Sequence, residues 1–225
     1  MTDPTRPLEA ATLSFDEAVH QVGPGTAIEG APFLTLSIGS RFALCATLRT
    51  MRCGSLPSEA GQLVLHSNEP DESAVLDVLR RRHGQLAVAQ VLCEGGILEL
   101  HRAVCQLRGV HPGRSTPQQV MLAATRGGAP ECARSLAMFC GLLGDVAGRA
   151  ALTLGAAGGV FITGSIVPRL GDWFARSPFR RRFEDAGRFA DTLRAIPTFV
   201  ARDDSVDAAA TQALRSAENC SCRVT

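Results

Sequence analysis

Eight cysteines, five histidines and 22 aspartates and glutamates are the side chains of this chain best able to bind metal or move protons. Their spacing excludes more chemistry than it supports. The cysteines (Cys45, Cys53, Cys93, Cys105, Cys132, Cys140, Cys220 and Cys222) never form a Cys-x-x-Cys pair, and most stand in apolar surroundings, the pattern of reduced, buried thiols. Cys220 and Cys222 are close enough to oxidise or share a soft cation, but no histidine stands at ligand spacing from them. A disordered tail over 219–225 and no metal site are therefore the expectation. His66, His83, His101 and His111 have no partner pattern and read as structural or exposed. A Ser-His-Asp hydrolase lacks its Gly-x-Ser-x-Gly elbow. All 23 basic residues are arginine, and without lysine there is no P-loop, Schiff-base or protein-kinase chemistry.

Global charge is equally restrictive. A formal net charge of +1 provides no basic stripe for a nucleic acid, and no helix-turn-helix pattern precedes the apolar core segments. No run of 18 apolar residues without a charge is present, and Met1 to Glu9 hold an acid, prolines and an arginine where a signal peptide needs an apolar stretch. The expectation is a cytoplasmic chain with no membrane contact. Its 225 residues, 45% of them hydrophobic, suit one compact domain.

The elements that must position any site alternate between strand and helix. Residues 1–28 mix proline and glycine with one short amphipathic stretch, Phe15 to Val22, and read as a lead-in. Phe33 to Leu36 and Phe42 to Leu48 are apolar segments separated by Ser37-Ile38-Gly39-Ser40-Arg41, which predicts two strands joined by a polar turn. Apolar positions at three- and four-residue spacing predict helices from Glu72 to His83 and after Gly95-Gly96, and Thr116 before Pro117 reads as an N-cap. The longest helix is expected from Glu131 to Leu152. Glycine-rich Leu154 to Gly159 then runs into Val160-Phe161-Ile162-Thr163, the clearest strand pattern in the chain. Trp173 and Phe174 fall on a short helix, 179–189 on an arginine-rich helical segment, Thr198 to Ala201 on a strand and Val206 to Ala217 on a closing helix. The class is α/β.

Two long stretches resemble a known family: Leu152-Thr-Leu-Gly-Ala-Ala-Gly-Gly-Val-Phe-Ile-Thr-Gly-Ser-Ile-Val-Pro-Arg169, and Ser177-Pro-Phe-Arg-Arg-Arg-Phe-Glu-Asp-Ala-Gly-Arg-Phe189 leading to Ile196-Pro197. Leu56-Pro57-Ser58-Glu59-Ala60-Gly61, Gln90-Val91-Leu92 and Glu131 to Cys140 add to the likeness. They resemble the bacterial glucokinases of the actin-like, ribonuclease-H-like ATPase superfamily, over roughly residues 29–200. The resemblance implies a large domain at 29–218, a mixed sheet flanked by helices, with the family's small amino-terminal domain not represented.

Such kinases phosphorylate glucose with ATP and Mg2+ in a cleft between two domains, and an aspartate acts as general base. Carried over residue by residue, the second phosphate loop falls on Ser37 to Ala43. There Gly39 and Ser40 match as nucleotide-binding residues, while Arg41 and Ala43 replace glycines. The sugar motif Glu-Gly-Gly-His falls on Glu59-Ala60-Gly61-Gln62, making Glu59 and Gln62 the substrate-binding residues. A second family glutamate falls at Ala89, and Glu94, five residues on, is expected to point elsewhere. The adenosine-side glycines fall at Gly158 and Gly159, which on their own also read as a tight turn before a buried strand. The late Gly-Leu-x-Gly becomes Val206-Asp207-Ala208-Ala209. Neither the first phosphate loop nor the Asn-Asp pair that supplies the base has a counterpart, so no catalytic residue is assigned. The resemblance thus implies a glucokinase-family chain that takes glucose or a related hexose, is weakly active or inactive alone, and forms a homodimer through its long helix. A non-catalytic sugar- or nucleotide-binding regulator is the alternative.

Overall fold

The computed structural model describes residues 19–48 and 54–201. Alternating apolar residues make β2 (Phe33–Ile38) and β3 (Phe42–Leu48) a hairpin, in which Leu34, Leu36 and Ile38 are fully buried and Thr35 and Ser37 between them are half-buried. Ile38 pairs with Phe42, so the turn is only Gly39-Ser40-Arg41. The flanking strands are β1 (Val19–Val22), β4 (Gly54–Ser58), β5 (Val160–Thr163) and β6 (Thr198–Ala201). Their order is β1-β6-β5-β2-β3-β4. β6, β5 and β2 run parallel, while β1, β3 and β4 pair antiparallel with their neighbours. The carboxyl ends of β2, β4, β5 and β6 therefore lie on one edge of the sheet.

Two of these strands were not legible in the sequence. β1 lies inside the expected lead-in, where only Val19 and Val22 are buried and His20 and Gln21 face solvent. β4 carries Pro57, which argues against a central strand; β4 lies at the edge of the sheet, where proline is tolerated. The expected helix at Val206 to Ala217 lies outside the described residues.

One helical layer covers one face. It comprises α1 (Pro70–His83), α2 (Val88–Val91), α3 (Glu94–Leu107), α4 (Pro117–Thr125), α5 (Pro130–Leu154), α6 (Asp172–Ala175), α7 (Phe179–Phe183) and α8 (Ala190–Ala195). Thr116 caps α4 as expected, its hydroxyl accepting from the Gln119 N–H at 3.2 Å while the Gln119 side chain accepts from the Thr116 N–H at 2.9 Å. α5 is long and apolar enough to cross a membrane by length and composition. Its stripe of Leu136, Phe139, Leu143 and Ala147 is instead fully buried against Leu34, Leu36 and Ile162 in the main core. Cys140 lies in that stripe, and burial pushes its thiol up to about 12. On the opposite face Phe161 packs edge-on to Phe33 at 5.5 Å and stacks on Phe199 at 5.0 Å.

The arginine-rich segment is not one continuous helix. α7 stops at Phe183, a short 3-10 turn follows at Gly187–Phe189, and Arg180 and Arg182 are buried. Arg180 donates to the Ile196 and Arg194 carbonyls, each at 2.9 Å, and to Glu184 at 2.6 Å, which ties the end of α8 to the start of β6. Against α5, α7 approaches so closely that a Cβ on Gly144 would stand 2.3 Å from the Phe179 carbonyl oxygen.

Candidate functional site at the carboxyl edge of the sheet

Four turns meet where β2, β4 and β5 end. The first is the hairpin Gly39-Ser40-Arg41, whose Gly39 N–H donates to the Arg41 carbonyl at 3.1 Å. The second is a 3-10 turn, Glu59–Gln62, started by Ser58, whose hydroxyl accepts from the Ala60 N–H at 3.1 Å. Gly61 is wedged there: a Cβ would lie 3.1 Å from Ala89 Cβ on α2 and 3.4 Å from the Phe42 ring on β3. The third is the start of α3, where the Glu94 N–H donates to the Gly39 carbonyl at 2.9 Å. The fourth is Gly164-Ser165 after β5. Gly164 has φ +93, and a Cβ there would stand 2.4 Å from the Ile38 carbonyl oxygen, so only glycine lets the chain turn this close to β2.

Side chains couple the turns. Ser165 Oγ donates to Glu94 Oε1 at 3.0 Å. A Cβ on Gly39 would sit 3.0 Å from that same Ser165 Oγ. Ser40, Arg41, Glu59 and Gln62 are all exposed, held by the hairpin and by the turn packed on Phe42. Open α/β sheets bind ligands at the carboxyl ends of their parallel strands, where successive connections diverge. This edge, with its glycines and hydroxyls, has that form.

The expected residues divide between two places. Gly39, Ser40, Glu59 and Gln62 come together at the carboxyl edge. Gly158 and Gly159 do not: they precede β5, and a Cβ on Gly158 would strike the Ala31 and Pro32 carbonyl oxygens at 2.7 and 2.9 Å. The Gly158 N–H donates to the Pro32 carbonyl at 2.8 Å. With β5 between them, Gly159 and Gly164 are roughly 16 Å apart along the strand, at opposite edges of the sheet. Ala89 does stand beside the Glu59–Gln62 turn, but it offers a methyl group and no carboxylate.

Glu94 and Ser165 were missed by sequence reasoning. Glu94 was expected to point elsewhere than the sugar motif, and its N–H and carboxylate meet Gly39 and Ser165 at the hairpin. The one available signal was Gly164, a glycine ending the strongest strand pattern, which is where an α/β sheet places its ligands.

A cavity of about 480 Å3 opens beside the Glu59–Gln62 turn, lined by Glu59, Leu44, Leu63, Val64, Val146 and Leu154, with His66, Asp145 and Arg149 among its polar groups. Of the expected site residues it takes in Glu59 alone. Of the other histidines, His20, His83 and His111 are exposed. His101 is buried with Cys105 Sγ at 3.7 Å and Cys132 Sγ at 3.9 Å, and burial pushes both thiols up. Among the described residues no group of three His, Cys, Asp or Glu forms a metal centre.

Read from the first core strand, the strand order β4-β3-β2-β5-β6, with its parallel centre and antiparallel flank, is the ribonuclease-H-like arrangement of the actin-like ATPases. A family model, Glucokinase, matches residues 9–214. The glucokinase of Hahella chejuensis (strain KCTC 2396) is 38% identical over 186 residues, 82% of this chain and 58% of that protein. That of Aromatoleum aromaticum (strain DSM 19018 / LMG 30748 / EbN1) is 40% identical over 185 residues, 80% of this chain and 55% of that protein. The crystal structure of a glucokinase from an Antarctic psychrotroph superposes with a TM-score of 0.79 at 27% identity, covering 85% of this chain and 60% of that one. The chain belongs to the glucokinase family, and it spans between half and two thirds of the length of these relatives.

Proposed function

We propose that this chain carries the large-domain half of a site for ATP-dependent phosphorylation of glucose to glucose 6-phosphate. The observation that carries the reading is that the Glu59–Gln62 turn and the Gly39-Ser40 hairpin both rest on Phe42, so sugar ligands and phosphate ligands share one edge of the sheet. Glu59 accepts hydrogen bonds from sugar hydroxyls and the Gln62 amide donates one. Ser40 and the hairpin backbone face the phosphates, and Gly164-Ser165, packed on the same hairpin, extends that surface. Gly158 and Gly159 act on the nucleotide only indirectly, by setting the register of β5 against the chain entering β2. Mg2+ accompanies ATP and neutralises phosphate charge.

Phosphoryl transfer is mostly positioning, so each missing part lowers the rate steeply. The 225 residues contain no Asn-Asp pair to supply the base, Arg41 and Ala43 add bulk in the hairpin, and Ala89 provides no second carboxylate. The reading is therefore weak or no turnover by this chain alone, in the cytoplasm, where its thiols stay reduced. Ala89 and Gln62 also favour a second reading, a non-catalytic sugar- or nucleotide-binding regulator. A homodimer through the long helix α5 is part of the proposal.

The test is glucose 6-phosphate formation at saturating ATP-Mg2+ and glucose, beside a Glu59→Ala variant, with melting temperature measured with and without glucose. Glucose should raise the melting temperature of the parent chain and not of Glu59→Ala, with turnover near background. Turnover abolished by Glu59→Ala would overturn the inactive reading. Absence of any glucose effect on the parent would overturn sugar binding.

A further inference from the structure

We infer that Glu94 is the carboxylate that positions the divalent cation accompanying the nucleotide phosphates. The inference rests on the reading above that phosphates lie at the Gly39-Ser40 hairpin. Glu94 is anchored there twice, through its N–H to the Gly39 carbonyl at 2.9 Å and through Oε1, which accepts from Ser165 Oγ at 3.0 Å. Its Oε2 has no hydrogen-bond partner among the described residues, and no arginine pairs with it there. The carboxylate is half-buried next to the turn assigned to phosphate.

Two anions cannot share that space unaided: a polyphosphate beside an unpaired carboxylate is repelled. A cation between them turns the repulsion into a bridge. Mg2+ suits such a place, because it takes one or two carboxylates together with phosphate oxygens and keeps several waters. The hydroxyls of Ser40 and Ser165 add oxygen donors for those waters. Arg41, exposed and without a side-chain partner among the described residues, supplies the second positive charge from the other end of the hairpin. A purely structural Glu94 would only hold Ser165 and favour the start of α3 through the helix dipole. That role would show in stability and would be indifferent to metal.

The experiment is calorimetric titration of ADP into the 225-residue chain with excess Mg2+ and, separately, with EDTA, for the parent and for Glu94→Gln. Glutamine keeps the acceptor for Ser165 and removes only the charge. The parent should bind ADP about tenfold more tightly with Mg2+ than with EDTA, and Glu94→Gln should lose most of that ratio while binding metal-free ADP at least as well. Mn2+ in place of Mg2+ gives a direct readout, a bound electron-spin resonance signal with ADP that weakens in Glu94→Gln. Ser165→Ala, which releases Oε1 without touching the charge, should lower the ratio by about two- to threefold. A Mg2+ ratio unchanged in Glu94→Gln, or a parent that binds ADP equally with and without Mg2+, overturns the inference and leaves the nucleotide site standing. No ADP binding under either condition overturns the nucleotide site and the inference with it.

Discussion

Arg182 on α7 donates from Nη1 to both carboxylate oxygens of Glu72 on α1, each at 3.0 Å, with all of these groups buried. The same guanidinium donates to Asp145 on α5, from Nε at 2.9 Å and also from Nη2. One cation thus fastens three helices, and one of them, α5, lines the cavity beside the Glu59–Gln62 turn. Burial works to lower the guanidinium pKa, but Asp145 and Glu72 together hold it above the ordinary arginine range.

Arg182→Met should cost about 3 kcal/mol, because it strands the buried Glu72 and leaves the half-buried Asp145 without its partner. Urea unfolding followed by circular dichroism measures this. Replacing all three groups, as Glu72→Leu, Asp145→Leu and Arg182→Met, should recover most of the loss, since an apolar trio leaves no buried charge unpaired.

Gly144→Ala should destabilise by about 1–3 kcal/mol, because the Phe179 carbonyl occupies the space of the new methyl and α7 must move away from α5. Gly155→Ala is the control for backbone conformation alone: φ there is +61 and nothing lies within 4 Å of a Cβ. It should cost about 1–2 kcal/mol, and only the Gly144 variant should also loosen the Arg182 cluster, seen as faster amide exchange in α7.

Glu99 couples stability to acid. Burial tends to raise its pKa, but hydrogen bonds and charge from Arg102 and His83 outweigh that and hold it below the ordinary value. A depressed carboxyl stabilises the fold above its unfolded pKa and loses that contribution as pH falls through the folded pKa. Glu99→Gln should therefore lower the melting temperature at neutral pH, and the gap from the parent should close as the pH drops below the ordinary carboxylate range.

At the sugar turn, Ala89→Glu restores a carboxylate on α2 opposite Gly61. Glucose affinity should rise about tenfold, the worth of one hydrogen bond to a charged group. Gln62→His should add a smaller gain. Calorimetry on the two single variants and the pair measures both, and no gain from Ala89→Glu would mean that the sugar does not reach α2.

The sequence alone was enough for the elements whose patterns are internally periodic. Leu34, Leu36 and Ile38 alternate, Leu136, Phe139, Leu143 and Ala147 recur on one helical face, and Thr116-Pro117 announces a helix start; each signal lies within a few residues of itself. The family likeness likewise rests on contiguous stretches, above all 152–169 and 177–189. The short strands β1 and β4 carry no such pattern, because a strand of four or five residues at a sheet edge is defined by its partner and not by its own composition.

What the tertiary structure decided is which residues share a site. Parallel pairing of β2 with β5 brings Gly164-Ser165 to Gly39 and sends Gly158-Gly159 to the opposite edge, although both glycine groups flank the same strand. The first turn of α3 lies against the hairpin, so Glu94 reaches Ser165 across 71 residues of sequence. Strand direction and helix docking are set by contacts between distant segments, and a single chain read in order contains the residues of those contacts but not their geometry.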